Sequence, residues 1–163
     1  LWTIKEFGTD GYLDYWRDLQ ANGVTILDSW TESYSNAYMN GEAPMVVSYS
    51  TDQVFANRYD YDMTRHQVAA PTGQGYANPE GMAMFEAADE ALVRDFMEFM
   101  LRPEIQGEIA QRNVAFPATD TAELPADYND LAREPPDPVT FSYEDLRGSV
   151  EGWIDDWERE IVQ

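Results

Sequence analysis

Two apolar runs, each leading directly into a helix-start signal, constrain this chain more than any other feature. Val24–Thr25–Ile26–Leu27 is followed by Ser29–Trp30–Thr31–Glu32, and Pro44–Met45–Val46–Val47–Ser48–Tyr49 by Ser50–Thr51–Asp52–Gln53. Apolar runs of this length, rich in β-branched residues, read as buried strands. A hydroxyl residue with an acid or amide three positions on reads as a capping box, in which the side chains satisfy orphan amides at the helix start. Two such junctions about twenty residues apart predict β-α-β-α, an α/β fold with a parallel sheet and right-handed crossovers. In such sheets ligands bind at the carboxyl edge of the strands, where helix-start amides face outward. Trp30 and Tyr49 stand at the two junctions. From position alone, core packing and ligand contact are equally supported for both; Tyr34 and Tyr38, on the helix flank, read as structural.

Helical stripes frame this doublet. Gly11–Asn22 carries Tyr12, Trp16 and Leu19 on one face and is stopped by Gly23, and Gly41 stops the helix that follows Trp30. Further on, Gln67–Ala70 and Gly81–Phe85 read as short strands, with His66 as a hydrogen-bonded or surface residue. Met82, Met84, Met97 and Met100 read as core filler. Ala91–Leu101 is a strong amphipathic helix, Pro103 opens another to about Arg112, and Asn113–Pro117 is extended. The proline- and acid-rich stretch 119–138 reads as a surface excursion with a small helix at Tyr128–Leu131. Ser142–Tyr143–Glu144–Asp145 starts a final amphipathic helix whose stripe is Leu146, Val150, Trp153, Trp157 and Ile161.

Composition then removes whole classes of function. Thirty-one acidic residues face ten basic ones, a formal charge of −21, and only Lys5 among the bases is a lysine. The acids run along the whole chain among five tryptophans and ten tyrosines. That pattern reads as a folded domain with a carboxylate-rich surface suited to concentrated salt, where self-repulsion is screened within about 3 Å, with a cation-attracting surface used for function as the rival reading. No basic patch can be assembled for nucleic acid. The absence of cysteine removes disulfides, thiolate metal sites and a cysteine nucleophile, and the single histidine leaves neither a Ser-His-Asp triad nor a multi-histidine metal site. Asp155, Asp156, Glu158 and Glu160 form the wet side of the last helix rather than a hydrolase acid–base pair. No dinucleotide, P-loop, calcium-loop or zincin motif occurs.

The opening Leu1–Trp2–Thr3–Ile4 looks like the middle of an element, so the sequence reads as the C-terminal part of a longer protein whose signal or anchor lies upstream.

Several segments resemble the thiamine-binding extracellular proteins of ABC importers. They are Asp28–Tyr34, Gly41–Glu42, Val46–Thr51, Gly11–Trp16 with the Asn22–Gly23–Val24 turn, Phe96–Gln106, Phe116–Pro117 and Trp153–Trp157. The likeness runs nearly end to end. Phe96–Gln106 is shared by many two-lobed solute-binding proteins, whereas W-T-E-x-Y and V-S-Y-S-T are more specific. The resemblance implies the C-terminal half of a type II periplasmic-binding-protein fold. Residues 1–70 would form the second, parallel-sheet lobe, 71–118 would return to the first, and 119–163 would pack back on the second; the N-terminal lobe would lie outside this sequence. It implies a non-enzymatic, extracellular solute-binding component without a cofactor. Thiamine or a thiamine phosphate would be its ligand and the ABC permease subunits its partner, with membrane attachment only through an upstream anchor. It carries ligand contact onto Trp30, Tyr49, Ser50, Thr51, Asp52 and Gln53. Aromatic faces suit a flat cation, and capping hydroxyls suit its hydroxyethyl end. Two positions depart from the family: Asp52–Gln53 replace a small residue and a proline, and Val114 stands where an aromatic closing over the ligand is expected. An Asp52 carboxylate disfavours a phosphate. Ferric-ion or other small-solute binding on the same fold is the rival, then an extracellular carboxylate-pair hydrolase.

Overall fold

The computed structural model describes residues 1–70 and 73–162. The expected boundary between 70 and 71 falls against residues outside that set. The helices are α1 (Trp2–Ala21), a π-helical segment Thr31–Tyr38, α2 (Asp52–Arg58), α3 (Glu90–Met100), α4 (Pro103–Asn113), α5 (Ala126–Leu131), α6 (Tyr143–Arg147) and α7 (Val150–Trp157). A second π-helical segment, Glu158–Val162, continues α7. The chain divides into two compact units, one of Leu1–Ser48, Thr72–Ala77 and Pro136–Gln163, the other of Tyr49–Pro71 and Asn78–Pro135.

The parallel sheet is where expectation and structure part. Among the described residues no strand forms; the single β-contact is an isolated bridge between Tyr76 and Val139. Val24–Leu27, Pro44–Tyr49, Gln67–Ala70 and Gly81–Phe85 all lack regular structure. A strand exists only through hydrogen bonds to a lateral neighbour, and these runs do not pair with one another. Helices need no such neighbour, and the two glycine stops hold as expected, although α1 begins at Trp2, well ahead of the expected Gly11. Beyond α1, Gly23 takes φ 84, its amide reaches Gln20 O at 3.0 Å and the Val24 amide reaches Leu19 O at 3.0 Å, the paired bonds of a Schellman stop. Gly41 (φ 79) ends the π-helical segment the same way, with Glu42 N on Ala37 O at 2.9 Å.

In the first unit the C-terminal segment lies along α1. The Tyr12 hydroxyl donates to Trp153 O at 3.2 Å and Gln20 Nε2 to Ile161 O at 2.7 Å. Trp16 and Trp157 meet edge to face at 5.4 Å, and Arg17 is ion-paired with Glu160. Ile4, Tyr12 and Ile161 are buried, and burial raises the Tyr12 phenol above its ordinary pKa. The expected last helix is broken at Gly148 into α6 and α7. Its capping box is present in full, with Ser142 and Asp145 bonding each other's backbone amides.

In the second unit the core is Val54, Ala110 and Tyr128, with Val114, Phe116, Leu131 and Ala132 packed on it. Tyr128 is thus no surface residue of an excursion. Its hydroxyl donates to Ala110 O at 2.9 Å and Ala115 O at 3.1 Å. Arg58 donates to Ala110 O at 3.0 Å and Gln111 O at 2.5 Å, and forks onto Asp127 at 2.8 and 2.9 Å. A cation and a phenol therefore cap the last carbonyls of α4, where helix ends lack donors and carry partial negative charge. Of the expected core methionines, Met97 and Met100 are half-buried, but Met82 and Met84 are exposed.

The Arg58 guanidinium holds the Asp127 carboxyl below its ordinary pKa. A depressed carboxyl stabilises the fold fully above its unfolded pKa of about 3.9, and less as pH falls from there through the folded value. Asp127→Asn is therefore expected to lower unfolding free energy by about 2 kcal/mol at pH 7. Urea titrations should show that gap shrinking below about pH 4.

Candidate functional site

Each junction residue is held by local bonds. The Trp30 indole N–H donates to the Ser48 hydroxyl at 2.7 Å. Its ring stacks on that of Tyr34 at 4.7 Å, 11° from parallel, because residues four apart on a helix share a face. Tyr34 is buried, so it fixes the plane against which Trp30 lies, half-buried itself. Ser29 fulfils the serine half of its expected cap, accepting from the Glu32 amide at 3.1 Å.

The second junction is a closed corner. The Asp52 amide donates to Tyr49 O at 3.1 Å, and the Tyr49 amide donates back to the Asp52 carboxylate at 3.3 Å, so a β-turn is locked from both sides. Ser50 O accepts from the Arg133 amide at 2.9 Å, and Thr51 O takes the Val54 and Phe55 amides. The expected Ser50-to-Gln53 box is thus shifted by one: Thr51 is the N-cap residue, its side chain makes no capping bond, and α2 begins at Asp52. A carboxylate in the first turn is favoured by the helix dipole. Thr51 and Asp52 are buried and Gln53 is half-buried, while Tyr49 is 57% exposed. Ser50 and Gln53 carry no capping role here.

Trp30 lies in one compact unit and Tyr49, Ser50, Thr51, Asp52 and Gln53 in the other. Ser48 as the partner of Trp30 escaped the sequence reading, which took it as a strand residue; only its hydroxyl gave a signal. The position expected to hold an aromatic, Val114, ends α4 in the left-handed region (φ 56) and packs on the second core. A β-branched residue is rare there, and the half-buried side chain packs against the core. His66 is buried, with Nδ1 2.8 Å from Asp62 O and its ring 5.8 Å from that of Tyr61. Among the described residues no group of three or more acids or histidines is placed to hold a metal ion.

The chain is similar over its length to solute-binding proteins. It matches a solved periplasmic thiamin binding protein with a TM-score of 0.84 at 25% identity, covering 98% of this chain and 49% of that one; the fold is that of the periplasmic binding proteins. The pattern of the bacterial extracellular solute-binding proteins matches residues 5–135, and the chain belongs to that family. Relatives include the thiamine-binding periplasmic proteins of Salmonella typhimurium, 29% identical, and of Escherichia coli, 26% identical. Each match covers 99% of this chain and 48% of the relative. The chain spans about half the length of the curated relatives it matches.

Ser48→Ala leaves the Trp30 N–H without its hydroxyl acceptor. It is expected to cost about 1 kcal/mol of stability, read from the midpoint of urea unfolding at constant slope.

Proposed function

We propose that this protein is the thiamine-capturing part of an ABC importer, working outside the cell, without catalysis, and handing its ligand to a membrane permease. The reading assigns the chain to the C-terminal half of a type II periplasmic-binding-protein fold, with 1–70, 71–118 and 119–163 as its lobe segments and the ligand held in the interlobe cleft. The observation that carries it is the nearly complete match of this chain to thiamine-binding periplasmic proteins. The local chemistry is in keeping with it. Thiamine joins a cationic ring to a flat pyrimidine. Trp30 offers an indole braced on a buried ring, and Tyr49 an exposed phenol on a hydrogen-bonded corner beside a carboxylate. Each aromatic contact to a cation contributes about 0.5–2 kcal/mol.

Titration with thiamine, followed by tryptophan fluorescence, tests the ligand. Quenching that saturates is expected for the wild type and lost in Trp30→Ala. Tyr49→Ala should weaken binding roughly two- to thirtyfold. No saturable quench, or a full one in Trp30→Ala, overturns the assignment. The Asp52 carboxylate also sets a preference: thiamine should outcompete its monophosphate, and Asp52→Asn should narrow the difference. Tighter monophosphate binding by the wild type would refute that preference.

The charge of −21 belongs to the same reading as an adaptation to concentrated salt. Arg17, Arg58, Arg94, Arg112 and Arg159 form ion pairs with carboxylates, but ten basic residues cannot pair one to one with 31 acidic ones. Raising KCl from about 0.1 M to 2 M shortens the screening length from about 10 Å to below 3 Å. The melting temperature should rise across that range, and a flat or falling trend would count against salt adaptation.

A further inference from the structure

In the first unit a serine is committed to an aromatic ring. The Ser48 hydroxyl accepts from the Trp30 indole N–H at 2.7 Å, across eighteen residues of sequence. Both residues belong to that unit and both are half-buried. An indole has one donor and no acceptor, so this bond engages the only polar atom of the ring. The Tyr34 ring covers one face of the indole, 4.7 Å away and 11° from parallel, and Tyr34 is 1% exposed. Tyr38 continues the series at 5.6 Å. Stacking restrains the tilt of a ring but lets it slide and turn in its own plane. A hydrogen bond from the ring edge removes that turning, because the N–H must point nearly straight at its acceptor. The backbone that carries the rings is unusual as well. Thr31–Tyr38 is a π-helical segment with Trp30 as its N-cap residue, and π-helical turns are uncommon and recur at functional sites.

We infer that Ser48 is a positioning residue for ligand capture: its hydroxyl fixes the rotation of the Trp30 indole within the stack, so that the ring meets a flat cationic solute through its π face and not through its N–H. That role rests on the proposed ligand contact of Trp30 and adds to it a residue that acts through the indole. A ring attracts a cation only when the charge lies over its face, so turning the indole changes the attraction. Each side-chain rotation that binding must freeze also weakens affinity. Losing the hydroxyl therefore costs binding in the folded protein, separately from its cost in stability.

Calorimetric titration with thiamine tests this. Ser48→Ala should weaken binding roughly three- to tenfold, whereas Ser48→Thr, which keeps a hydroxyl, should stay within about twofold of the wild type. Trp30→Phe keeps a ring but has no N–H, so in that background Ser48→Ala should lower affinity no further. The Trp30 Nε1–H resonance is identified by its loss in Trp30→Phe. It should move upfield and exchange faster with solvent in Ser48→Ala and hold its place in Ser48→Thr. A merely structural serine gives a different pattern, a lower melting temperature with the affinity of the folded protein unchanged. Wild-type affinity in Ser48→Ala, or the same loss in the Trp30→Phe background as in the wild type, overturns the positioning role while the ligand assignment stands. Absence of thiamine binding by the wild type overturns the ligand assignment and the role with it, so the two failures are told apart.

Discussion

A buried peptide group must find a partner, in the backbone, a side chain or water, and in the described residues of this protein helices and side-chain caps supply most of the ordered ones. The stability of each unit therefore rests on how its helices are ended and cross-braced. In the second unit this falls to Arg58 and Tyr128, which together cover the carbonyls closing α4. Asp127 is held by the same guanidinium, which links α2, α4 and α5 around Val54 and Ala110. Without that cation the half-buried Asp127 carboxylate would lose its partner.

The first unit uses a different brace. The C-terminal segment runs against α1 through aromatic edges and side-chain bonds to backbone carbonyls, at Tyr12 and Gln20. Gly8 (φ 73, ψ 172), inside α1, takes a backbone conformation that a side chain disfavours. Lys5, ahead of it, lies over the Phe141 ring at 5.5 Å. The sole lysine is thus spent on packing, while arginines take the ion pairs. That division suits a surface where a planar cation grips carboxylates in pairs.

Functionally the two junctions are unlike each other. Trp30 is fixed by the Tyr34 ring and the Ser48 hydroxyl, so its plane is set locally. Tyr49 is fixed through its backbone by the Asp52 carboxylate, which leaves the phenol turned largely to water. The rigid corner also gives Asp52 a structural task beside any electrostatic one.

Local chemistry was legible in the sequence wherever a few neighbouring residues decide the outcome. Glycine at a helix end, the Ser142–Asp145 box and the proline opening α4 all act within one turn, and each is found as read. The one-residue shift of the α2 start was not legible, since Thr51 and Ser50 offer the same hydroxyl and only the Asp52–Tyr49 bond chooses between them. The burial of Tyr128 and the packing of Val114 were hidden too, because their neighbours come from other helices. The apolar runs at 24–27, 44–49 and 81–85 have the composition of strands, but composition supplies only one side of a ladder. Side chains along the chain fix which backbone groups a residue can satisfy by itself; partners distant in sequence decide the rest, because a strand and a core exist only where a second surface meets the first.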